Sequence, residues 1–182
     1  MEAACDHLVF SCAGAPSRGV ESLPAGYRCE VWEPSTLHAL PHGAPRLRYA
    51  AWWVFDRTRI FRNDGYAVVL IWKGDTLAHR LGVFPGWYRF PFMGRDDLQF
   101  GDLWTASDQR RRGLAVQALR AAISTRGGST RRTFWYLTHE SNLASIRTAE
   151  GAGLRLVGRA TRTRRWGLRQ LGQFELAALP AR

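Results

Sequence analysis

With 182 residues, 46% of them apolar, the chain is long enough to bury one core of its own without metals or cross-links. Three cysteines, Cys5, Cys12 and Cys29, cannot all pair, and no apolar run approaches the roughly 18 residues of a membrane helix, so a secreted disulfide scaffold and a membrane span are excluded and a reducing, cytoplasmic compartment is expected. The net charge of +11 lies in the C-terminal half: up to Ala106 eleven basic and eleven acidic residues cancel, whereas from Ser107 onward fifteen arginines meet only Asp108, Glu140, Glu150 and Glu175, a field that attracts a nucleic acid, an anionic membrane face or a phosphorylated small molecule.

In chain order, residues 8–12 read as a short strand inside an N-terminal segment, 1–26, whose Gly, Pro, Ser and Ala content over 13–26 predicts loose order; a single domain is expected over 27–182. Tyr27, Cys29 and Val31 alternate with polar neighbours, the period of a half-buried strand over 27–33 that Pro34 ends, and Ser35 can cap a short helix over 36–40. Leu47, Ala50, Ala51, Val54 and Phe55 predict a helix over 46–59 with that face inward. Apolar runs over 66–72 and 76–84 flank Lys73, Gly74 and Asp75 and predict an antiparallel hairpin. The aromatic, Pro- and Gly-containing stretch 85–97 is a long structured loop, a length that compact domains keep for function.

A strand is then expected over Leu98–Thr105, followed by a helix capped by Ser107 or Asp108 and stopped by Gly127 and Gly128. Strand 133–138, a helix opened by Ser141 or Asn142 and ended by the glycines at 151–153, strand 154–160, a basic turn over 161–169 and a last strand over 170–176 complete the order. Such a series folds as a mixed sheet with helices on its faces.

The chemistry lies where strand passes to helix. A helix that begins just after a central strand aims unpaired backbone N–H groups and the positive end of its dipole at one spot. Gly113 and Ala115 leave the backbone there open to a phosphate, and Arg110, Arg111 and Arg112 surround it with charge. A pyrophosphate suits that cradle.

The run Arg110-Arg111-Arg112-Gly113-Leu114-Ala115 resembles the R/Q-x-x-G-x-G/A motif of the GNAT acyltransferase superfamily, preceded by a D-L-x-V-like strand end at Asp102 to Thr105. Asn142, Ser145 and the later pair Gly153-Leu154 resemble that family's second signature. The resemblance implies an α/β (α+β) fold, a mixed, mainly antiparallel sheet of about seven strands with helices on both faces, splayed between strands four and five. It also implies acetyl-CoA as the cofactor. Leu103, Trp104 and Thr105 would meet its pantetheine arm, a backbone N–H near Trp104 would hold the thioester oxygen, and Asn142 and Ser145 would face it from the second helix.

Amine acylation needs a neutral acceptor, hence a base; Asp102 and Glu140 are the carboxylates expected there, with His139 a third option. The family's thiolate-protonating tyrosine falls at Ala149, so Ser145, Tyr136 or water would substitute. On the acceptor side Trp53, Arg57, Arg62, Trp87, Arg95 and Asp97 offer aromatic planes, cations and carboxylates, a set that suits a nucleotide-linked amino sugar among other small amines. No metal-ligand spacing and no nucleic-acid-binding signature is present, so the partner expected is a small-molecule amine, with neither metal nor specific nucleic acid. A basic nucleic-acid module and a degenerate, CoA-sensing domain stay open as alternatives, as does a homodimer.

Overall fold

The computed structural model describes residues 7–13, 23–35, 46–127, 132–168 and 171–179. Among these the chain order is β1 (His7–Ala13), β2 (Tyr27–Trp32), α1 (Arg46–Arg57), β3 (Ala67–Lys73), β4 (Thr76–Pro85), β5 (Leu98–Thr105), a 3-10 turn (Ser107–Gln109), α2 (Leu114–Arg126), β6 (Thr133–His139), α3 (Leu143–Gly151), β7 (Arg155–Arg162) and β8 (Phe174–Ala178). The short helix expected over 36–40 lies outside the described residues.

The strands form one sheet in the order β2-β3-β4-β5-β6-β1-β7-β8. The β-branched runs of β3 and β4 pair antiparallel around Gly74, whose φ of 56° closes the hairpin turn between Lys73 and Thr76. β5 and β6 are the parallel pair; they hydrogen-bond at Leu98 with Phe134, Gln99 with Trp135 and Phe100 with Tyr136, and then part. This split, between the fourth and fifth strands when counted from β2, matches the expected architecture, with eight strands in place of about seven.

Two cores lie on opposite faces of the sheet. On one, α2 presents Leu114, Ala118, Leu119, Ala122 and Ile123 at helical spacing to Val69, Ile71, Leu81 and Val83, joined by Ala149 and Ala152 of the α3 end. On the other, Tyr49 of α1 and the loop residues Trp87, Phe90 and Met93 cover Val68, Leu70 and Trp72. Among the described residues no helix is long and apolar enough to cross a membrane.

The strand expected over 8–12 is β1, an interior strand between β6 and β7 with Val9 and Phe10 buried, and three other expectations change. Seven residues paired with β6, five of them also with β7, outweigh the local Gly/Pro content that follows them. On α1, Leu47 is 89% and Val54 45% exposed, while Tyr49 is fully buried; the large rings at Tyr49, Trp52 and Phe55 turn inward because they bury more apolar area than the aliphatic stripe. The helix expected from Ser107 starts at Leu114, after the 3-10 turn and a left-handed Gly113. The last strand begins at Phe174 instead of 170.

Candidate functional site

Two clefts open along β5. Leu103, Trp104 and Thr105 line the larger one, of about 810 Å³, together with Arg110, Arg111, Arg112, Gly113, Leu114 and Ala115 before and at the start of α2, and Asn142 and Ser145 at the start of α3. All eleven residues expected around the cofactor therefore share one cavity. Among the described residues its charge is one-signed: Arg110, Arg111, Arg112 and Arg147 line it and no carboxylate does.

The floor of this cleft is an uncapped helix start. Gly113, at φ 73°, is the N-cap of α2, no side chain caps it, and the first turn holds no acid. Gln117 is the first residue to donate back, to the Gly113 carbonyl at 3.1 Å, so the N–H groups of Leu114, Ala115 and Val116 have no intrahelical acceptor. A Cβ at Gly113 would meet nothing within 4 Å, so the left-handed φ, not crowding, requires the glycine. The residues fit a diphosphate: orphaned donors, a positive helix end and surrounding guanidiniums converge where the backbone is bare.

At the opposite end of the larger cleft, β5 carries a bulge. Arg80 faces Trp104 and Gly82 faces Gly101, so Leu81 alone spans Asp102 and Leu103. Asp102 takes up the distortion at φ 50°, unusual for a residue with a side chain. The bulge turns Asp102 to the second cleft while Leu103 to Thr105 stay on the first. Its Oδ2 accepts a hydrogen bond from the Tyr49 hydroxyl at 3.0 Å and lies 3.6 Å from Arg80 Nε; the Arg80 guanidinium in turn sits 5.1 Å over the Trp104 ring. Burial, followed by the Asp102 charge, pushes the Tyr49 hydroxyl well above the ordinary tyrosine range, so it stays a donor.

The α3 residues are set by its cap. Asn142 Oδ1 accepts from Ser145 N at 3.1 Å, which fixes the first turn, and Ser145 lines the cleft. Burial raises the Tyr136 pKa. Ala149 is fully buried in the α2 face of the core, while Thr148 beside it lines the cleft.

The second cleft, about 370 Å³, is bounded by Trp52 of α1, Phe84, Trp87, Arg89 and Phe90 of the β4 end and following loop, Gln99 to Asp102 of β5, Leu137, Phe174 and His7. Of the six residues expected on the acceptor side, Trp87 is here. Asp97 instead anchors the loop, accepting from Gly94 N at 2.7 Å, Thr133 N at 3.1 Å and Trp135 Nε1 at 2.8 Å. Arg62 donates to the Met93 carbonyl, Arg57 lies 5.8 Å over the Trp53 ring, and the Arg95 carbonyl accepts from Asn63 at 2.8 Å; Trp53, Arg57, Arg62 and Arg95 line neither cleft. Glu140 also stands outside both, bound to Arg159 at 2.7 Å. A loop of this length has to anchor itself before it can bind anything, and its polar side chains serve that purpose.

Sequence reasoning missed His79 and Gln109 in the first cleft and Arg89, Gln99, His7 and Phe174 in the second. Arg147 and Thr148 were legible as the α3 positions three residues after Ala144 and Ser145. His79 was not: it reaches the site because β4 pairs it with Thr105, whose hydroxyl lies 2.7 Å from His79 Nδ1. Burial, then Arg80, lowers the His79 pKa to about 4.

No protein-family profile and no curated protein matches the chain. Solved structures do. A GCN5-related N-acetyltransferase from Sphaerobacter thermophilus superimposes with a TM-score of 0.57 at 16% identity, over 85% of this chain and 49% of that one. A GNAT-family acetyltransferase from Colwellia psychrerythraea gives 0.54 at 14%, over 83% and 52%. A tandem GNAT protein of the clavulanic acid biosynthesis pathway gives 0.55 at 14%, over 84% and 51%. The chain thus spans about half the length of the solved structures it matches. The mixed sheet parted beside β5, the helices on both its faces and these superpositions together establish that the chain has the GNAT acyltransferase fold.

Proposed function

We propose that this chain is an acetyl-CoA-dependent N-acetyltransferase that acts on the primary amine of a small molecule by direct transfer, with both substrates bound at once. The observation that carries the reading is the pair of clefts sharing β5: a cationic one with an uncapped helix start, and an aromatic one holding a carboxylate. Among the described residues no cysteine lines either cleft, which favours direct transfer over an acyl-cysteine route.

Acetyl-CoA would supply an activated acyl group as a thioester. Leu114, Ala115 and Val116 would hold its diphosphate through backbone N–H groups, with Arg110, Arg111 and Arg112 adding charge-assisted bonds. Leu103, Trp104 and Thr105 would run along the pantetheine arm on the edge of β5 that β6 has left open. The Trp104 backbone N–H would face the thioester oxygen, where charge develops. Asp102, the one carboxylate among the described residues that line either cleft, would take the proton from the amine, and Tyr49 and Arg80 fix its orientation. Ser145, which lines the cleft, would return a proton to the departing thiolate. Glu140, already paired with Arg159 outside the clefts, has no part in this scheme. A nucleotide-linked amino sugar was expected to use the cations Arg57, Arg62 and Arg95, which line neither cleft.

Calorimetry with CoA tests the cofactor site directly. Gly113→Asp and Gly113→Asn have the same shape, and both residue types tolerate the left-handed φ better than most. The aspartate variant should bind CoA at least about tenfold more weakly than the asparagine variant, because only it opposes the diphosphate with charge. Equal affinities, or no association of the unaltered protein with millimolar CoA, would overturn the site.

A further inference from the structure

We infer that the acceptor is a primary amine carried on a compact aromatic body, an arylalkylamine or an aromatic amino acid, seated in the cleft between α1, the β4–β5 loop and β8. The inference rests on the acyl-transfer reading and names the substrate class of its second cleft.

The walls select first. Trp52, Phe84, Trp87, Phe90 and Phe174 enclose most of the space. Trp52 lies 4.7 Å from Phe84 and meets Trp87 edge-on at 6.0 Å, and Phe90 stacks on Phe174 at 5.4 Å with 3° between the planes. The wall of the cleft is therefore a cluster of tilted, edge-on and stacked rings, a surface against which another ring packs well. A sugar would set several hydroxyls against ring surfaces, with His7, Arg89, Gln99 and Asp102 the polar side chains left to bond them.

Volume selects next. About 370 Å³ is at the small end of ligand sites and leaves no space for a nucleotide diphosphate beside a sugar. The rim does not give way easily, because Phe174 N donates to the Arg89 carbonyl at 2.8 Å and Gln173 Nε2 to the Tyr88 carbonyl at 2.7 Å, clasping the loop to the start of β8.

Charge selects last. Among the described residues the cleft holds one carboxylate, Asp102, and one guanidinium, Arg89, with Arg80 directly behind the carboxylate. One amine can be met by Asp102, whereas the additional cations of a polyamine would face Arg89 and Arg80. Arg89, whose guanidinium lies 4.6 Å over the Trp87 ring, is also where a substrate carboxylate would pair. That residue separates the two sources of the same aromatic amine chemistry.

The test follows thiol release from saturating acetyl-CoA with 2-phenylethylamine, tryptamine, phenylalanine, glucosamine and spermidine, alongside calorimetry with CoA. The expected result is a kcat/KM for the aromatic amines at least about tenfold above those for glucosamine and spermidine. Phenylalanine leading, with the lead lost in Arg89→Gln, identifies the amino acid source; 2-phenylethylamine or tryptamine leading identifies the arylalkylamine. Trp87→Leu, which keeps bulk in the wall, should lower kcat/KM for the aromatic amines about tenfold while CoA affinity holds. Preference for glucosamine or spermidine, or an unchanged kcat/KM in Trp87→Leu, overturns the inference and leaves acyl transfer standing. CoA binding without thiol release from any of the amines overturns the transfer reading itself and favours a CoA sensor.

Discussion

Asp102 and His79 show how single residues on adjacent strands carry the site's electrostatics. Asp102 holds a left-handed backbone at the β5 bulge, a conformation that persists only where its surroundings impose it, and Tyr49 and Arg80 do so here. His79 is fully buried against Thr105, its Nε2 has no hydrogen-bond partner, and its pKa falls from 6.5 to about 4. Because the folded pKa lies below the unfolded one, the unfolded chain binds the extra proton between those two values. The contribution is therefore complete above pH 6.5, shrinks as the pH falls toward 4 and is gone below it. Urea midpoints measured at intervals from pH 7 to 4 should show this loss, about 3 kcal/mol at full extent, and His79→Gln should flatten it. A histidine variant with the same pH slope as the unaltered protein would refute the assignment.

At the scale of elements, α1 is a helix with two apolar stripes and one partner. Tyr49, Trp52 and Phe55 face the sheet, and Leu47, Ala51 and Val54 face outward. Periodicity finds the helix because both stripes recur at helical spacing, yet it cannot rank them; the aromatic one wins because its rings remove more area from water. Tyr49→Ala should cost about 3 to 5 kcal/mol of unfolding free energy, as other large-to-small core changes do. Leu47→Lys, at a position 89% exposed, should change stability by no more than about 0.5 kcal/mol. Chemical denaturation of the two variants checks both, and a reversed ranking would put the outer stripe in the core.

For the whole molecule the decisive feature is the place of β1. It fills the gap between β6 and β7, pairing with His139 through Thr133 on one side and with Ala160 through Arg155 on the other. Without it, two interior strands would become open edges and Phe10, 1% exposed, would leave the core beneath α2 and α3. A chain lacking residues 1–13 should therefore lose its cooperative thermal transition, and Phe10→Ala alone should cost about 3 to 5 kcal/mol. A sharp unfolding transition in the truncated chain would show that the sheet stands without this strand. The second cleft depends on the same arrangement, since β1 and β8 bring His7 and Phe174 beside the β4–β5 loop.

The amino-acid order by itself determined most of the local elements and the phosphate-facing end of the first cleft. Strand and helix periods, Gly113 and three arginines at a helix start act within a few residues of one another, so spacing is enough to place them. Only the tertiary structure decided the second cleft. Trp52, Trp87, Asp102 and Phe174 come from four separate stretches of chain, and which of the many aromatics meet is fixed by strand order, by the bulge in β5 and by the loop's need to bond its own polar groups. Those are long-range choices in which packing area and hydrogen-bond satisfaction compete, and no local period records their outcome.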